Sequence, residues 1–471
     1  MKNIIRSIGL VAMIFTSEAV SAQNYASQNV NMIGHWYNPT QDPEPVYGIQ
    51  YQSVWGWHDS INNREYGIIG ASDGTFFIDV TNPAAPVMCD FVPAVHGDLI
   101  WHEIKTYQNY CYIVSDDGGG NSFIIADLSY LPDSVHVVRD DNTIFEQCHT
   151  IYVDGDKLWG GSVTGDNGQF FYSMACYDLS ADPTTPTLIR SLNQDYPQIQ
   201  SVHDMFVRND TVYASAGYQG LHIYTFTTTF QEIGVLTSYP EAGYNHSSFL
   251  TPNGNTLIFM DEVPAGMGIK SIDVSNMGNI SVNQTFRSNQ GNTPHNPYLI
   301  GNDILIAANY TDGVQIFNMS NPSAIYRSGY FDSDTLINYP NYTQPYHGCW
   351  AAYTDLPSGL LLISDMQNGL YVLDITSAMT SAPEQGSATM AANAYPNPFN
   401  GNFFISSSVT HAQPLTWTVY DATGRAVLTG NESLPPGAVI LEIPAEGLPS
   451  GIYSVKMESD ELNGSVKMVK E

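Results

Sequence analysis

Basic residues are scarce. Fifteen lysines and arginines stand against 46 acidic residues in 471, a net charge of −31. Such a chain repels a phosphate backbone, which argues against nucleic acid as a partner. Charge of either sign is thin, at 13% of residues, where a soluble domain usually carries about 25%. Cysteines number five (Cys89, Cys111, Cys148, Cys176 and Cys349) and show no CxxC spacing. Zinc-finger and thioredoxin-like readings therefore fail, and the odd count leaves at least one thiol unpaired within the chain. No run of the mature chain approaches the roughly 18 apolar residues of a membrane helix. GxSxG, HExxH and P-loop signatures are missing too, as is any GxGxxG between strand and helix.

What is present points to β-structure. Hydrophobic residues make up 43%, with 39 Gly, 30 Tyr and 27 Pro, so a packed interior is available and global disorder is excluded. The length suggests two domains or one large repeat array. The acidic excess keeps an exported protein soluble and also offers oxygen ligands to hard cations such as Ca²⁺. Solubility alone is the simpler reading. Asp154-Gly155-Asp156 and Asp332-Ser333-Asp334 do not continue into a full DxDxDG loop and read as turns.

The two ends differ from the middle. Residues 1–22 have Lys2 and Arg6, a short apolar run from Ile8 to Phe15, and Val20-Ser21-Ala22 as a small-residue cleavage site, which together read as a signal peptide. Residues 377–393 are small, polar and without periodicity, so they read as a linker. Residues 394–471 carry short alternating runs separated by turn residues, the pattern of a small β-sandwich. Four segments of this tail, YPNPF (395–399), VYDATGR (419–425), LPSGIYSVKM (448–457) and KMVKE (467–471), resemble the type A C-terminal sorting domain of the type IX secretion system of the Bacteroidetes. That resemblance implies passage through the outer membrane, loss of the tail, and release or anchoring at the cell surface. The type IX machinery would then be a partner.

Between the ends one signal recurs seven times. A histidine is followed by a short strand, a turn, a mostly apolar strand, and a strand ending in Asp-hydrophobic-Ser/Thr. The histidines are His58, His102, His149, His203, His246, His295 and His347, at gaps of 44, 47, 54, 43, 49 and 52 residues. A mean of about 48 suits a four-strand propeller blade. The apolar strands, among them YGIIGAS (66–72), TLIFMDE (256–262) and LLLISD (360–365), suit burial between neighbouring sheets. The seventh repeat lacks an outer strand, and residues 29–38 have its character. The expectation is an all-β chain: a seven-bladed β-propeller over 23–376, with 29–38 closing the last blade, followed by a small β-sandwich. A ring closed this way leaves no long sheet edge exposed.

FFIDVTNP (76–83), VQIFNMSNP (314–322) and LYVLDIT (370–376) resemble the LVIVD repeats of the choice-of-anchor B family. The resemblance implies a propeller at the cell surface and supplies no established activity. Blade four departs most, with Thr225 in place of the aspartate.

Equivalent positions in seven blades form a ring, so the seven histidines are expected to surround one mouth of the channel. Acidic residues recur at the end of the next strand in every blade but the fourth: Asp73, Asp116 with Asp117, Asp166, Asp261 with Glu262, Asp312 and Asp365. Of these, Asp73, Asp116, Asp261, Asp312 and Asp365 are the candidates for supporting the histidines. The functional reading is a divalent metal or ligand site on the axis, with these carboxylates orienting the rings from behind. The structural reading is a hydrogen-bonding staple repeated in every blade, and sevenfold recurrence favours that shared duty. Tryptophans near the histidines (Trp55, Trp57, Trp101, Trp159 and Trp350) would serve as sugar platforms or, the favoured reading, as packing between blades. The function expected is a secreted or cell-surface binding module for an extracellular protein or glycan. The alternative is a metal-dependent extracellular hydrolase using the axial His/Asp cluster.

Overall fold

The computed structural model describes residues 25–334, 346–381, 393–409, 411–421, 424–459 and 463–470. The signal peptide expected at 1–22 and residues 382–392 of the expected linker lie outside the described residues. The chain divides into two units, Met1–Ser381 and Ala382–Glu471.

Among the described residues of the first unit, seven antiparallel sheets follow one another along the chain. Their innermost strands are Tyr51–Asp59, His102–Tyr107, Gln147–Asp154, Asp204–Arg208, Asn245–Leu250, Asn296–Ile300 and Cys349–Tyr353. Each packs against the next, and the seventh returns to the first. That closure makes a seven-bladed β-propeller, the all-β architecture expected from the sequence.

The second strand of each blade explains why the blades stack. Thr256–Asp261, Ile304–Ala308 and Leu361–Asp365 are buried along their whole length, because each lies between two neighbouring sheets. One fully buried Val, Leu or Ile contributes roughly 1.5–3 kcal/mol. Outer strands such as Thr187–Ser191 expose most of their side chains, so cohesion between blades comes from the second strands. Close approach also needs small residues. A Cβ on Gly161 of blade three would stand 2.7 Å from the carbonyl oxygen of Val202, the residue before His203.

The N-terminal segment laces two blades. Asn31–Trp36 pairs antiparallel with Gly369–Asp374 and completes blade seven. Ser27–Gln28 adds a fifth strand to blade six, against Tyr326–Phe331. Val30, between these strands, is buried with Ala378 of the single-turn helix Thr376–Thr380.

The second unit has a three-stranded sheet (Asn393–Tyr395, Phe403–Val409, Gly437–Ile443) and a four-stranded sheet centred on Gln413–Asp421 and Gly451–Glu458. Phe403, Ile405 and Ile443 of one sheet share a core with Trp417, Val419 and Val455 of the other, which makes it a β-sandwich.

Candidate metal centre on the channel axis

Every innermost strand contributes to a cavity of about 420 Å³. The strands begin at one end of the channel, and there five of the seven repeat histidines meet: His102, His149, His203, His246 and His295. Their ring centroids follow round the axis, His149 to His203 at 4.1 Å, His203 to His246 at 4.1 Å and His246 to His295 at 4.5 Å. Trp350 continues the ring 4.7 Å from His295, and Trp101 lies 5.4 Å beyond it.

The other two histidines are elsewhere. His58 lies near the far end of its nine-residue strand, paired with Glu65. At the start of that strand Gln52 faces Gly70 and His102 and donates to the carbonyl of Leu99 at 2.9 Å. Gln52 therefore occupies the blade-one position. His347 precedes its strand and faces Asp334, with Nδ1 to Oδ1 at 2.9 Å. The residue displaced by the strand irregularity of blade seven is Trp350, as it is His246 in blade five. The expected ring of seven imidazoles is thus five, completed by an amide and an indole.

The expected carboxylates also separate. Asp116 does back a ring histidine, its Oδ2 2.6 Å from Nδ1 of His149. Asp73 accepts from Gln41 at 2.8 Å, Asp261 pairs with Lys270 at 2.6 Å, Asp312 accepts from Ser288 and Asn289, and Asp365 accepts from Asn368 at 2.9 Å. None of these four bonds reaches the axis. The carboxylate that stands among the imidazoles of His246 and His295 is Glu262, next in sequence to Asp261. Alternation along a strand sends neighbours to opposite sides, so Asp261 turns to Lys270 and Glu262, not the expected Asp261, faces the imidazoles. The acidic pair itself was the available signal.

Hydrogen bonds behind the ring set the tautomers. His203 Nδ1 donates to the carbonyl of His246 at 3.2 Å, and His295 Nδ1 donates to the carbonyl of Trp350 at 2.6 Å. With a neutral ring, each Nε2 then carries a lone pair. His149 Nε2 and His203 Nε2 are 2.7 Å apart; two facing lone pairs at that distance repel unless a proton or a cation lies between them. Burial opposes charge on His149, but Asp116 outweighs it and the pKa is raised. Burial, and then His149 itself, hold His203 well below the ordinary value. The shared proton therefore belongs to His149.

One step round the ring, nitrogens of His246 and His295 and an oxygen of Glu262 all lie within 4.8 Å of one another. His246 Nδ1 is buried without a hydrogen-bond partner. Its Nε2 stands 3.7 Å from Glu262 Oε2, too far for a hydrogen bond. Tyr310 donates to the other oxygen, Oε1, at 2.5 Å and fixes the carboxylate. Burial keeps His295 neutral, its pKa pushed down to about 3. Two neutral imidazoles and one carboxylate, with donor capacity unspent and the carboxylate oriented from behind, are donors of the kind a first-row transition ion takes.

The strand order and pairing define a seven-bladed propeller joined to a compact β-sandwich. The family model "Secretion system C-terminal sorting domain" matches residues 393–471, the sandwich. Such a tail implies export through the type IX secretion system, to the surface or beyond the cell. No curated protein matches the chain. Among solved structures, PorZ, described as an essential surface component of the type-IX secretion system of Porphyromonas gingivalis, is 13% identical with a TM-score of 0.38; the match covers 86% of this chain and 64% of PorZ. YCF48 bound to a D1 peptide is 13% identical, with coverage of 75% and 100% and a TM-score of 0.47. A protein from Lactobacillus plantarum is 11% identical, with coverage of 84% and 100% and a TM-score of 0.48. At these scores the propeller assignment rests on the strand pairing, and none of those proteins' roles transfers. No helix among the described residues is long and apolar enough to cross a membrane.

Proposed function

We propose that this chain is an exported binding propeller whose axis holds one divalent transition-metal ion on His246, His295 and Glu262, with the His149–His203 pair beside it. The observation that carries the reading is the clustering of those three donors around an imidazole whose Nδ1 is buried and unbonded. The signal peptide at 1–22 delivers the chain to the periplasm, and the tail takes it across the outer membrane. The LVIVD resemblance supports a surface location for the propeller. A protein or glycan partner meeting the mouth of the channel fits the aromatic residues there, Trp101, Tyr244 and Tyr346.

A metal-dependent hydrolase is the second reading, and one observation favours it. Three protein donors leave coordination positions open, and the ring faces a cavity rather than packed core; structural metal sites are closed.

Elemental analysis of the exported protein tests the site. A near-stoichiometric transition ion is expected, lost in His246→Ala, His295→Ala and Glu262→Gln and kept in His58→Ala and His347→Ala. An ion absent from wild type, or lost equally in all five variants, overturns the assignment.

A further inference from the structure

Deeper in the same channel the chemistry changes. Beyond the histidines the lining includes Glu103, Lys105 and Asp204, with Trp55, Tyr298 and Tyr353 as aromatic wall. Lys105 is committed. Its ammonium pairs with Glu103, donates to the carbonyl of Ile104 at 3.2 Å, and lies 4.4 Å over the Trp55 ring. Asp204 accepts only the backbone N–H of Met205, at 2.7 Å, and among the described residues it forms no ion pair. Asp204 therefore faces the cavity with no cation at ion-pair distance, Lys105 and His149 acting on it only from farther off. The hydroxyl of Ser248, a residue 5% exposed that also lines the cavity, is buried with no hydrogen-bond partner.

Burying an unpaired carboxylate is costly, and so is leaving a hydroxyl unbonded. A cation with N–H donors offsets both. Aromatic faces attract the same charge, by up to about 2 kcal/mol when it is desolvated. A volume of about 420 Å³ limits the occupant to a small molecule. We infer that the deep channel is a binding site for a small organic molecule bearing a primary ammonium, with Asp204 as the anion that receives it and Ser248 as a second hydrogen-bonding group. The inference stands on the lower channel alone and holds whether or not an ion sits among the imidazoles.

Calorimetric titration of the metal-stripped exported protein at neutral pH tests it with three matched pairs of probes. These are phenethylamine against 2-phenylethanol, glucosamine against N-acetylglucosamine, and putrescine against 1,4-butanediol. At least one amine is expected to bind about tenfold more tightly than its neutral partner. Asp204→Asn, nearly the same shape, is expected to erase that preference while the near-UV dichroism is kept. Equal binding of every pair overturns the proposal, as does a preference that survives Asp204→Asn. A preference seen only after metal is restored also overturns it, because the amine is then a ligand of the ion and only the metal assignment stands. The wild-type comparison decides the question even where the variant does not fold.

Discussion

Blades two to six place an imidazole at the start of the innermost strand, whereas blades one and seven place Gln52 and Trp350 there. The difference coincides with the seam of the ring. Blade seven is built from both ends of the first unit, Asn31–Trp36 with Gly369–Asp374, and blade one adjoins it. In blades two to six the repeated imidazole faces the channel, and in blades three to six the imidazoles stand ring to ring. At the seam it serves closure: Trp350 receives the His295 Nδ1 hydrogen bond on its carbonyl and packs its ring against Trp101. One repeat position thus carries two duties, and the cluster is a feature of one side of the ring.

The largest effect is expected at the seam. Deleting residues 25–36 removes the outer strand of blade seven, the fifth strand of blade six, and the buried side chain of Val30. Trp36, packed on Phe76 5.0 Å away, is lost as well. Two or three large apolar contacts at roughly 1.5–3 kcal/mol each, and two newly exposed sheet edges, put the cost at about 5 kcal/mol or more. Thermal unfolding should shift by well over ten degrees or lose its cooperativity. Removing 393–471 should leave the melting of the propeller almost unchanged, since that sandwich has its own core. Equal effects of the two deletions would show that the N-terminal lacing does not hold the ring.

The second effect concerns proton linkage, which has opposite sign in the two kinds of blade. His295 is neutral when folded, with a pKa pushed down by burial to about 3, and His102 likewise to about 4. Below the unfolded value the unfolded chain binds protons that the native state refuses. Their stabilisation is therefore whole above about pH 6.5 and is lost as the pH falls. For His347 burial opposes charge, but Asp334 prevails and raises the pKa. Its contribution is whole below about pH 6.5 and is lost as the pH rises through the raised value. Denaturant melts of metal-stripped wild type and His295→Gln should converge by about 2 kcal/mol between about pH 6 and about pH 4.5. Wild type and His347→Gln should converge in the opposite direction. Taking differences cancels the buried carboxylates, Asp204 and Asp332, which both titrate at about 7. Parallel curves for His295→Gln would mean that its imidazole is charged in the folded protein.

A smaller effect is expected behind the ring. Asp116→Asn keeps the hydrogen bond to His149 but removes the charge that holds its proton. The proton on His149 keeps a positive charge beside the proposed donors, so losing it relieves repulsion against a bound ion. Competition with a chelator should show binding no weaker than wild type, and up to about tenfold tighter, for Asp116→Asn. Asp312→Asn, whose carboxylate is held by Ser288 and Asn289, should show no change. A loss of affinity in Asp116→Asn would place His149 among the ion's ligands.

How much of this was legible follows from where each residue sits. The second strands could be read because burial on both faces makes them apolar throughout, as in Thr256–Asp261. The ring histidines of blades two to six could be read because each stands within three residues of a strand start. His58 misled because its spacing of 44 residues to His102 falls in the range of the true repeats, although its strand begins seven residues earlier at Tyr51. Loops between blades vary in length, so spacing alone locates a repeat only to within several residues. Asp261 and Glu262 could not be told apart because the side to which a residue points depends on register, and the innermost strand of blade five has an irregularity beside His246. Ser27–Gln28 left no signal, since two residues carry no periodicity.

The smallest effect tests whether the blade-one position can be converted. Gln52 is wholly buried, lies against His102 across Gly70, and spends its amide on the Leu99 carbonyl. Histidine is of similar volume and can donate one ring N–H to the same carbonyl. Gln52→His should therefore cost about 1 kcal/mol or less, as a volume-conserving replacement that keeps its hydrogen bond. The new imidazole would stand beside His102 in blade two, while the proposed donors lie in blades five and six with Glu262. Metal stoichiometry and affinity should stay at the wild-type values. A second bound ion, or tighter binding of the first, would show that the imidazoles act as one continuous ring after all, and that the blade-one glutamine is what keeps it open.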